Sequence, residues 1–513
     1  MSVLAIDAGT TGVTALIVAA DGSVAGRGYQ EFRQYYPQPG WVEHLPEGIW
    51  QATLTACAQA LASAGAAGKT QGSRTNPAPP VSCIGITNQR ETAVVWDRET
   101  LAAPRRAIVW QDRRTARLCD RLRQAGHEDR IRELTGLRLD PYFTATKVTW
   151  LAEHDHATWQ GIADGSLAVG TVDSYLIARL TGGQRHVTDA SNASRTMLFD
   201  IGAGHWSAEL CELLQVPQRG LPEVVPSTGV AGHTDPAAFL GLALPIAGIA
   251  GDQQAALFGQ ACFTPGDTKC TYGTGSFVLA NTGTSIVRSD AGLLSTVAWM
   301  DSSGDLTYAL EGSVFVTGAA VQWLRDGLGL LDNAAQSEAL AGGVPDSGGV
   351  VFVPALTGLG APDWDPDARG AIFGITRGTT RAHLVRATLE AITFEVRDVF
   401  DVMTGGWRET CALRADGGAS TNDLLMQMQA DQLQIPVERP AVAETTALGA
   451  AFLAGLATGT WSSRDELAAT WRLDRRFTPG VRDDPGYARW RRAVSRAQGW
   501  ALDPADGPPG EPG

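Results

Sequence analysis

Two short loops in the sequence combine glycines with threonine hydroxyls, a composition that suits contact with phosphate. Asp7-Ala8-Gly9-Thr10-Thr11-Gly12 follows the apolar segment Val3–Ile6, and Tyr272-Gly273-Thr274-Gly275 ends the segment Thr268–Tyr272. Glycines let the backbone approach an anion, and threonine hydroxyls and backbone amides donate to its oxygens. Each loop alone could be an ordinary β-turn. Two of them, one in each half of the chain, could hold a polyphosphate from both sides.

Carboxylates follow two of the predicted strands and could serve a metal ion or a proton. Asp7 could hold Mg²⁺, mostly through water, because this ion keeps most of its hydration shell. Asp252, in Gly251-Asp252-Gln253-Gln254, lies between the apolar strand Ile246–Ile249 and a helix, where a catalytic base can be positioned. A helix N-cap is the structural alternative at Asp252.

A third group of residues could bind a hydroxylated ligand. Asn88-Gln89-Arg90-Glu91-Thr92 follows the predicted strand Val81–Thr87 and offers donors and acceptors side by side. A surface ion pair would use the same two charged residues. Trp110, Tyr142 and Phe277 could form an apolar wall for such a ligand, although aromatic residues are more often part of the core.

A fourth segment, Asp416-Gly417-Gly418-Ala419, is followed by Asn422. Paired glycines suit a flat base lying against the backbone, and the amide of Asn422 can reach the edge of a ring or a ribose. A turn from strand to helix, with Asn422 in the first helical turn, explains the same residues without a ligand.

The elements that must position these residues form two similar units. In the first unit, the turn Asp21-Gly22 joins two strands of a hairpin. Its predicted elements are the strands Val3–Ile6, Val13–Val18 and Val24–Tyr29 and the helix Glu47–Ala64. The second unit begins near Pro245, with strands Ile246–Ile249, Thr268–Tyr272 and Phe277–Ala280 and a helix at Gln254–Gly259. An acidic residue and a Gly/Thr turn occur in both, which indicates a duplicated architecture.

The regions between and around these units are less regular. Helices are predicted at Asp112–Gln124 and Thr146–His154. The polar, glycine- and proline-containing stretch 66–80 is predicted to be an exposed loop, and the tail 503–513 to be disordered.

The composition excludes several classes of protein. The 513 residues include 41 Lys+Arg and 55 Asp+Glu, which gives a formal net charge of −14. This argues against binding to nucleic acid or to an anionic membrane, because both require a positive field. No apolar run reaches the ~18–20 residues that a membrane helix needs. Seven scattered cysteines fit neither a disulfide framework nor a zinc ribbon, and they predict reduced thiols in a cytoplasmic protein.

The order of these segments resembles the FGGY family of carbohydrate kinases within the actin-like ATPases, and among them the glycerol kinases. The resemblance runs from about Val3 to Trp500. The stretches that carry it are YPQPGWVEH (36–44), IGITNQRET (84–92), AIVWQDRRT (107–115), LDPYF (139–143), GTVDSYLI (170–177), SNASRT (191–196), IAGIAGDQQAALFGQ (246–260), TYGTGSF (271–277), ALEGSVFVTGAAVQWLRDGLG (309–329) and ETTALGAA (444–451).

The resemblance implies an α/β fold with two ribonuclease-H-like lobes and an active-site cleft between them. It assigns residues 1–247 to an N-terminal lobe with the glycerol site and the first phosphate loop. Residues 248–502 would form a C-terminal lobe with the base and the nucleotide site. The implied reaction transfers the γ-phosphate of ATP to glycerol with Mg²⁺ and gives sn-glycerol 3-phosphate. A homodimer or homotetramer is expected.

The resemblance also implies roles for individual residues. Asp252 is the expected catalytic base, and Asp7 is the acidic residue expected near Mg²⁺. The residues expected to bind glycerol are Arg90, Glu91, Trp110, Tyr142, Asp252, Gln253 and Phe277. The residues expected to contact the nucleotide are Thr10, Thr11, Thr274, Gly318, Gln322, Gly418 and Asn422. In Gly232-His233-Thr234, His233 matches a histidine that a phosphocarrier of the sugar phosphotransferase system phosphorylates in some relatives, whereas an exposed loop histidine is the alternative.

The first loop departs from the pattern usual in glycerol kinases. Ala8 stands where glutamine is usual and Thr14 where arginine is usual, so the loop is closer to those of other sugar kinases in the wider family. A kinase for another polyol or a ketose is therefore one rival function. A regulator that binds glycerol or nucleotide without catalysis is another, and the intact Asp7 and Asp252 argue against it.

Overall fold

The first of two large sheets forms the centre of the N-terminal lobe. The computed structural model describes residues 1–67, 80–405 and 411–501. Ser2–Ala8 runs antiparallel to Gly12–Ala19 and parallel to Val81–Asn88, which is itself parallel to Pro245–Gly251. In spatial order the strands are Thr228–His233, Pro245–Gly251, Val81–Asn88, Ser2–Ala8, Gly12–Ala19 and Val24–Glu31.

The second sheet repeats this plan in the C-terminal lobe. Its strand Thr268–Tyr272 runs antiparallel to Ser276–Gly283 and parallel to Leu413–Asp416. In spatial order the strands are Leu294–Met300, Leu306–Val314, Ser276–Gly283, Thr268–Tyr272, Leu413–Asp416, Val437–Pro440 and Leu473–Phe477. In both sheets a glycine/threonine loop connects the first two antiparallel strands. The repeated plan confirms the predicted duplication and the expected two-lobed α/β fold. The predicted first strand of the second unit, Ile246–Ile249, nevertheless belongs to the first sheet.

The expected lobe boundary at 247/248 falls inside a strand. Pro245–Gly251 is hydrogen-bonded to Val81–Asn88 in the first sheet, with Gly251 opposite Asn88. The first sheet therefore extends to Gly251, beyond the expected boundary. Asp252 comes directly after its last strand.

Two long helices cover the first sheet. Pro46–Ala67 packs against Gly12–Ala19 and Val24–Glu31. Thr445–Thr458 comes from the far end of the chain, yet it packs against the first sheet and against helix Asp252–Gly259. At Gly449 a Cβ atom would lie 1.8 Å from the carbonyl oxygen of Ala255, so glycine is required for these two helices to touch through their backbones.

The remaining elements surround the two sheets. The other helices are Ala116–Gln124, Glu128–Thr135, Thr144–His154, His156–Asp164, Val172–Leu180, Ala190–Ala193, Ala208–Leu213, Gly318–Asp326, Gln336–Gly342, Arg381–Thr404, Asp423–Leu433, Arg464–Thr470 and Asp484–Ala497, with 3₁₀ turns at Gln218–Gly220 and Gly418–Thr421. The short strands of the smaller sheets are Gln34–Tyr35, Glu43–His44, Val94–Asp97, Ala107–Ile108, Leu167–Gly170, Val187–Asp189, Phe199–Asp200, His205–Trp206, Glu223–Val225, Val351–Val353 and Ala371–Phe373.

Most predicted elements are present with small shifts at their ends, and one helix starts later than predicted. The predicted helix Asp112–Gln124 begins only at Ala116. The carboxylate of Asp112 accepts from the backbone amides of Val42 and Arg114, which holds that segment in a turn. The predicted loop 66–80 lies largely outside the described residues, although the helix continues to Ala67, and the tail 503–513 lies wholly outside them.

Buried apolar side chains form a core in each lobe and a third cluster around helix Thr445–Thr458. All seven cysteines are unpaired thiols, and six of them are buried while Cys411 is exposed. Within the described ranges, no helix is both long and apolar enough to span a bilayer.

Candidate active site

A cavity of about 140 Å³ lies between the two sheets and is lined from both lobes. Thr10, Arg90 and Asp252 each come one or two residues after a strand of the parallel part of the first sheet. Ligands in open α/β sheets bind beyond the carboxyl ends of such strands. The lining residues are Thr10, Arg90, Glu91, Trp110, Tyr142, Asp252, Gln253, Thr271, Gly273, Thr274, Gly275 and Phe277.

All seven residues expected to bind glycerol line this one cavity, together with Thr10 and Thr274 of the two predicted phosphate loops. The other expected nucleotide contacts lie outside its lining. They are Thr11, Gly318, Gln322, Gly418 and Asn422.

Arg90 is the centre of the hydrogen bonding at the floor of the cavity. Its Nη1 donates to Glu311 Oε2 at 2.6 Å and to Gln254 Oε1 at 3.1 Å, and its Nη2 donates to Glu311 Oε1 at 3.1 Å and to the hydroxyl of Tyr142 at 3.2 Å. Its Nε lies 3.0 Å from Asp252 Oδ1. A guanidinium fixed by five contacts presents a rigid surface to a ligand.

A second buried arginine, Arg195, holds Glu91. Its Nε donates to Glu91 Oε1 at 2.7 Å, and its Nη2 donates to Glu311 Oε1 at 2.9 Å. Glu91 has a φ of 61°, a left-handed conformation that non-glycine residues rarely adopt. The buried ion pairs of Glu91 support this strained backbone at the edge of the cavity.

Arg195 and Glu311 are not among the site residues expected from the sequence. Both lie in the stretches that carry the family resemblance, SNASRT and ALEGSVF. Neither borders the cavity, and their importance follows from their burial and their charged partners. A short motif cannot reveal partners that are more than a hundred residues apart in sequence.

Two of the carboxylates paired with Arg90, those of Asp252 and Glu311, have pKa values that are shifted in opposite directions. Burial raises the pKa of Asp252 above its ordinary value, and the charges of Arg90 and Lys269 act against this increase. Burial also acts to raise the pKa of Glu311, but Arg195 and Arg90 outweigh it and lower that pKa to about 2. Glu311 is therefore charged at neutral pH, whereas Asp252 is a stronger proton acceptor than an exposed aspartate.

Asp7 lies near Asp252 at the end of strand Ser2–Ala8. Burial and the negative charge of Asp252 raise the pKa of Asp7 to about 7. The two carboxylates repel each other, and a cation bound close to both would relieve this repulsion. Within the described part of the chain, no three His, Cys, Asp or Glu side chains are grouped as a metal site. Asp7 and Asp252 could hold Mg²⁺, an ion that proteins bind through few carboxylates together with waters and substrate phosphates.

Aromatic rings form one wall of the cavity and are fixed by polar contacts. Trp110 Nε1 donates to Thr10 Oγ1 at 2.9 Å, and the rings of Trp110 and Tyr142 meet edge to face with centroids 5.6 Å apart. The guanidinium of Arg90 lies 5.7 Å from the ring centroid of Phe277. The cavity therefore offers both apolar and polar surfaces to a ligand.

The second predicted phosphate loop is supported by the start of helix Gly318–Asp326. The backbone amides of Thr317 and Ala319 donate to the carbonyl of Thr274 at 2.9 and 3.1 Å, and the amide of Gly318 donates to the carbonyl of Gly273 at 3.0 Å. The side chain of Thr274 is left exposed. Gln322, one turn further along this helix, is also exposed.

The predicted adenine-side segment forms a tight turn after strand Leu413–Asp416. Gly417 has a φ of 86°, and a Cβ there would lie 2.6 Å from the carbonyl oxygen of Tyr272. Gly418 is exposed, with no atom within 4 Å of where its Cβ would be. Asn422 is the N-cap of helix Asp423–Leu433, with its side chain accepting from Leu425 N. The alternative of a strand-to-helix turn therefore explains part of the role of Asn422 without a ligand.

His233 lies apart from the cavity. It is exposed at the end of strand Thr228–His233, opposite Pro245 in the first sheet. His233 is therefore not one of the cavity residues, and its ring is exposed to solvent.

Family models match both lobes of the chain. The N-terminal domain model of the FGGY family of carbohydrate kinases matches residues 2–259, and the C-terminal domain model matches residues 268–458. The chain belongs to the FGGY family of carbohydrate kinases.

Curated relatives of this FGGY kinase match it along nearly its whole length. A glycerol kinase of Aromatoleum aromaticum is 55% identical over 503 residues, covering 97% of this chain and 99% of the relative. A glycerol kinase of Symbiobacterium thermophilum is 55% identical over 507 residues, covering 98% and 99%.

Among solved structures, the fold is similar to that of Plasmodium falciparum glycerol kinase with ADP. The TM-score is 0.85 at 34% identity, with 97% of this chain and 98% of that chain covered. A xylulose kinase of Rhodospirillum rubrum has a TM-score of 0.79 at 27% identity, with coverage of 97% and 98%.

The two unusual positions of the first loop lie beside the cavity residues of this FGGY kinase without lining the cavity. Ala8 is buried, and Thr14 is paired with Asp7 across the first two strands. Neither Ala8 nor Thr14 carries a charge, so these two residues add no charge near Asp7.

Proposed function

We propose that this FGGY kinase transfers the γ-phosphate of ATP to a terminal hydroxyl of glycerol, which gives sn-glycerol 3-phosphate and ADP. The observation that carries the proposal is the position of Asp252. It lies on a small cavity that combines the charged residues Arg90 and Glu91, an aromatic wall and both glycine/threonine loops. The glycerol kinases that are more than half identical to this chain over its length support the same substrate.

The charged residues of the cavity suit a small polyol. Glu91 offers acceptors, and Arg90 would donate to a hydroxyl by exchanging its Nε contact with Asp252 for one with the ligand; both side chains are held by buried partners before a ligand arrives. Each hydroxyl can donate to one residue and accept from the other. Trp110 and Phe277 would cover the carbon face. Preformed partners reduce the entropy lost on binding and align the reacting groups.

Asp252 would act as the base. The attacking hydroxyl donates a hydrogen bond to its carboxylate and passes the proton to it as the new P–O bond forms. The bond from the γ-phosphorus to the β–γ bridging oxygen breaks, and its electron pair leaves with ADP. Phosphoryl transfer demands little covalent chemistry from the protein, so positioning and charge compensation supply most of the rate.

Asp7 is the residue proposed to hold Mg²⁺, through water or directly. When bound, this ion neutralises the charge that develops on the phosphate oxygens. Thr10 and Thr274, one from each lobe, would donate to phosphate oxygens. The turn at Gly417 and Gly418 would face the adenine ring of the nucleotide.

Release of ADP from MgATP by the purified protein tests this function, with glycerol compared against dihydroxyacetone, erythritol, xylitol and xylulose. Fast release with glycerol alone supports the proposal. Preference for xylitol or xylulose would favour the rival sugar kinase, for which the altered first loop at Ala8 and Thr14 is the specific observation. Glycerol binding without turnover of any substrate would contradict the proposed catalysis and indicate a sensor.

Three further expectations belong to this proposal. We infer a cytoplasmic homodimer or homotetramer, and light scattering on the purified protein tests the oligomeric state.

We also infer that His233, being exposed, can accept phosphate from a phosphocarrier protein of the sugar phosphotransferase system. Incubation with the phosphorylated carrier should label the chain but not a His233→Ala variant, and equal labelling of both would contradict this.

A further inference from the structure

A buried lysine lies behind the cavity wall and has no role in the proposed reaction so far. Lys269 is fully buried on strand Thr268–Tyr272. Its Nζ donates to Gln253 Oε1 at 2.5 Å and to Thr271 Oγ1 at 2.8 Å. A buried ammonium group is costly unless it is paired, so this position requires an explanation.

Lys269 determines how the side-chain amide of Gln253 is oriented. An ammonium group has only donors, so the atom of Gln253 that faces it must be the carbonyl oxygen. The NH₂ end of the amide must then point away from Lys269. Gln253 lines the cavity, next to Asp252. The NH₂ group is therefore the end of the amide that is left to face the cavity.

This orientation matches the needs of an attacking hydroxyl. The hydroxyl donates its proton to Asp252, so its oxygen must accept any other hydrogen bond that fixes its direction. A flipped amide would present a second acceptor there, which would compete for the same proton and turn the hydroxyl away from the phosphate.

We propose that Lys269 is a positioning residue that locks the Gln253 amide with its NH₂ group towards the hydroxyl held by Asp252. Lys269 does not touch the substrate and acts through Gln253. The inference rests on the proposed function, because it assumes that the reacting hydroxyl lies beside Asp252. In this arrangement the Gln253 NH₂ group is the donor and the Asp252 carboxylate is the acceptor. Together they suit a hydroxyl, which accepts from Gln253 and donates to Asp252.

A purely structural role for Lys269 predicts different behaviour. Burial lowers the pKa of Lys269, and the carboxylates of Asp416 and Asp252 are among the groups that oppose this. If Lys269 served only to neutralise these carboxylates, its removal would reduce stability. It would not act through Gln253, and its effect would add to that of a change at Gln253.

A double-mutant cycle separates the two roles. Lys269→Met, Gln253→Ala and the double variant are compared with wild type for kcat and for the KM of glycerol. We expect Lys269→Met to lower kcat roughly 10–100-fold, since a small misplacement of a reacting group can cost about 100-fold, and to change the KM less than kcat. The double variant should be no slower than Gln253→Ala within about twofold, because the two residues form one unit.

Cys270→Ala is the matched control. Cys270 is the next residue on the same strand, buried in the core of the C-terminal lobe, and it is not part of the cavity lining. Its truncation should lower the melting temperature and leave kcat unchanged. Wild-type kcat in Lys269→Met, or additive losses in the double variant, would overturn the inference.

A second variant keeps the test decisive if Lys269→Met does not fold. Gln253→Glu conserves shape and still accepts from Lys269, but it replaces the NH₂ group by an acceptor. We expect kcat to fall at least tenfold with no loss of thermal stability, and an unchanged kcat would overturn the inference. Wild-type turnover is measured in the same assay. Its absence with glycerol would contradict the proposed function itself, whereas normal turnover of Gln253→Glu would contradict only the role of the amide.

Discussion

Arg90 and Glu311 form a buried ion pair that joins the two lobes at the floor of the cavity. Arg90 Nη1 lies 2.6 Å from Glu311 Oε2, and neither side chain is more than 1% exposed. Arg90 follows a strand of the first sheet, and Glu311 lies on strand Leu306–Val314 of the second. Because Glu311 also accepts from Arg195, one carboxylate of the C-terminal lobe fixes two arginines of the other lobe.

Glu311→Gln should therefore damage both folding and substrate binding. The change leaves two buried guanidinium groups without their shared counter-charge, and breaking a buried pair in this way costs about 3–5 kcal/mol. We expect a clearly lower melting temperature and a kcat/KM for glycerol reduced at least tenfold. Thermal unfolding and steady-state kinetics measure the two effects.

Glu99→Gln is the control for Glu311→Gln, because Glu99 is exposed and exposed substitutions change stability by about 0.5 kcal/mol or less. Since the pKa of Glu311 is lowered to about 2, its stabilising effect is complete above its ordinary pKa of 4.5 and is lost as the pH falls towards 2. Equal stability of wild type and Glu311→Gln at pH 7 would contradict the role of this pair.

Asp252→Asn should separate binding from chemistry. Asparagine keeps the size of the side chain and one acceptor, but it cannot take the proton of the attacking hydroxyl. We expect kcat to fall by roughly 10²–10⁴-fold, the range typical of a lost general base, while calorimetry shows glycerol binding retained. A variant with near-native turnover would remove Asp252 from the role of base.

The strands and loops that position Asp252 could be predicted from the sequence, because each is a local pattern of apolar residues followed by glycine or an acidic residue. The sequence predicts a strand at Ile246–Ile249 and assigns it to the second unit. The observed strand Pro245–Gly251 belongs to the first sheet instead, because its pairing with Val81–Asn88 involves residues far apart in sequence. The predicted start of the helix at Asp112 was wrong because the side chain of Asp112 binds the distant backbone of Val42.

The cavity residues were predicted through the family resemblance, whereas the residues behind them were not. Glu311 and Lys269 act through contacts with Arg90 and Gln253 that only the folded chain creates. Single-sequence patterns indicate which residue types could do chemistry. They do not indicate which buried charges hold those residues in place.

Asp173 provides a pH-dependent prediction away from the cavity. It is fully buried and accepts from the hydroxyls of Thr171 and Thr188, and burial raises its pKa to about 7. The folded state therefore holds this proton where the unfolded state, with an ordinary pKa of 3.8, has lost it. Stability supplied by the group falls as the pH rises from about 4 to 7.

Asp173→Asn removes this titration. We expect the melting temperature of Asp173→Asn relative to wild type to be higher at pH 8 than at pH 5.5, because the wild type must bury a charged carboxylate only at the higher pH. Differential scanning fluorimetry at the two pH values measures the change. The same offset at both would contradict burial as the dominant influence on Asp173.

Gly418→Ala tests the proposed adenine side of the nucleotide site. A methyl group at Gly418 meets no protein atom within 4 Å, so folding should be unaffected. If the adenine ring lies against this backbone, the added methyl group occupies the space of the ring. We then expect the KM of ATP to rise about tenfold, the effect of some 1.4 kcal/mol, with glycerol binding unchanged.

Gly65→Ala is the control, since Gly65 also has open space around it but lies on the outer helix Pro46–Ala67. It should gain roughly 0.5–1 kcal/mol of stability from the better helix former and keep the KM of wild type. An unaltered KM for ATP in Gly418→Ala would remove Gly418 from the nucleotide site.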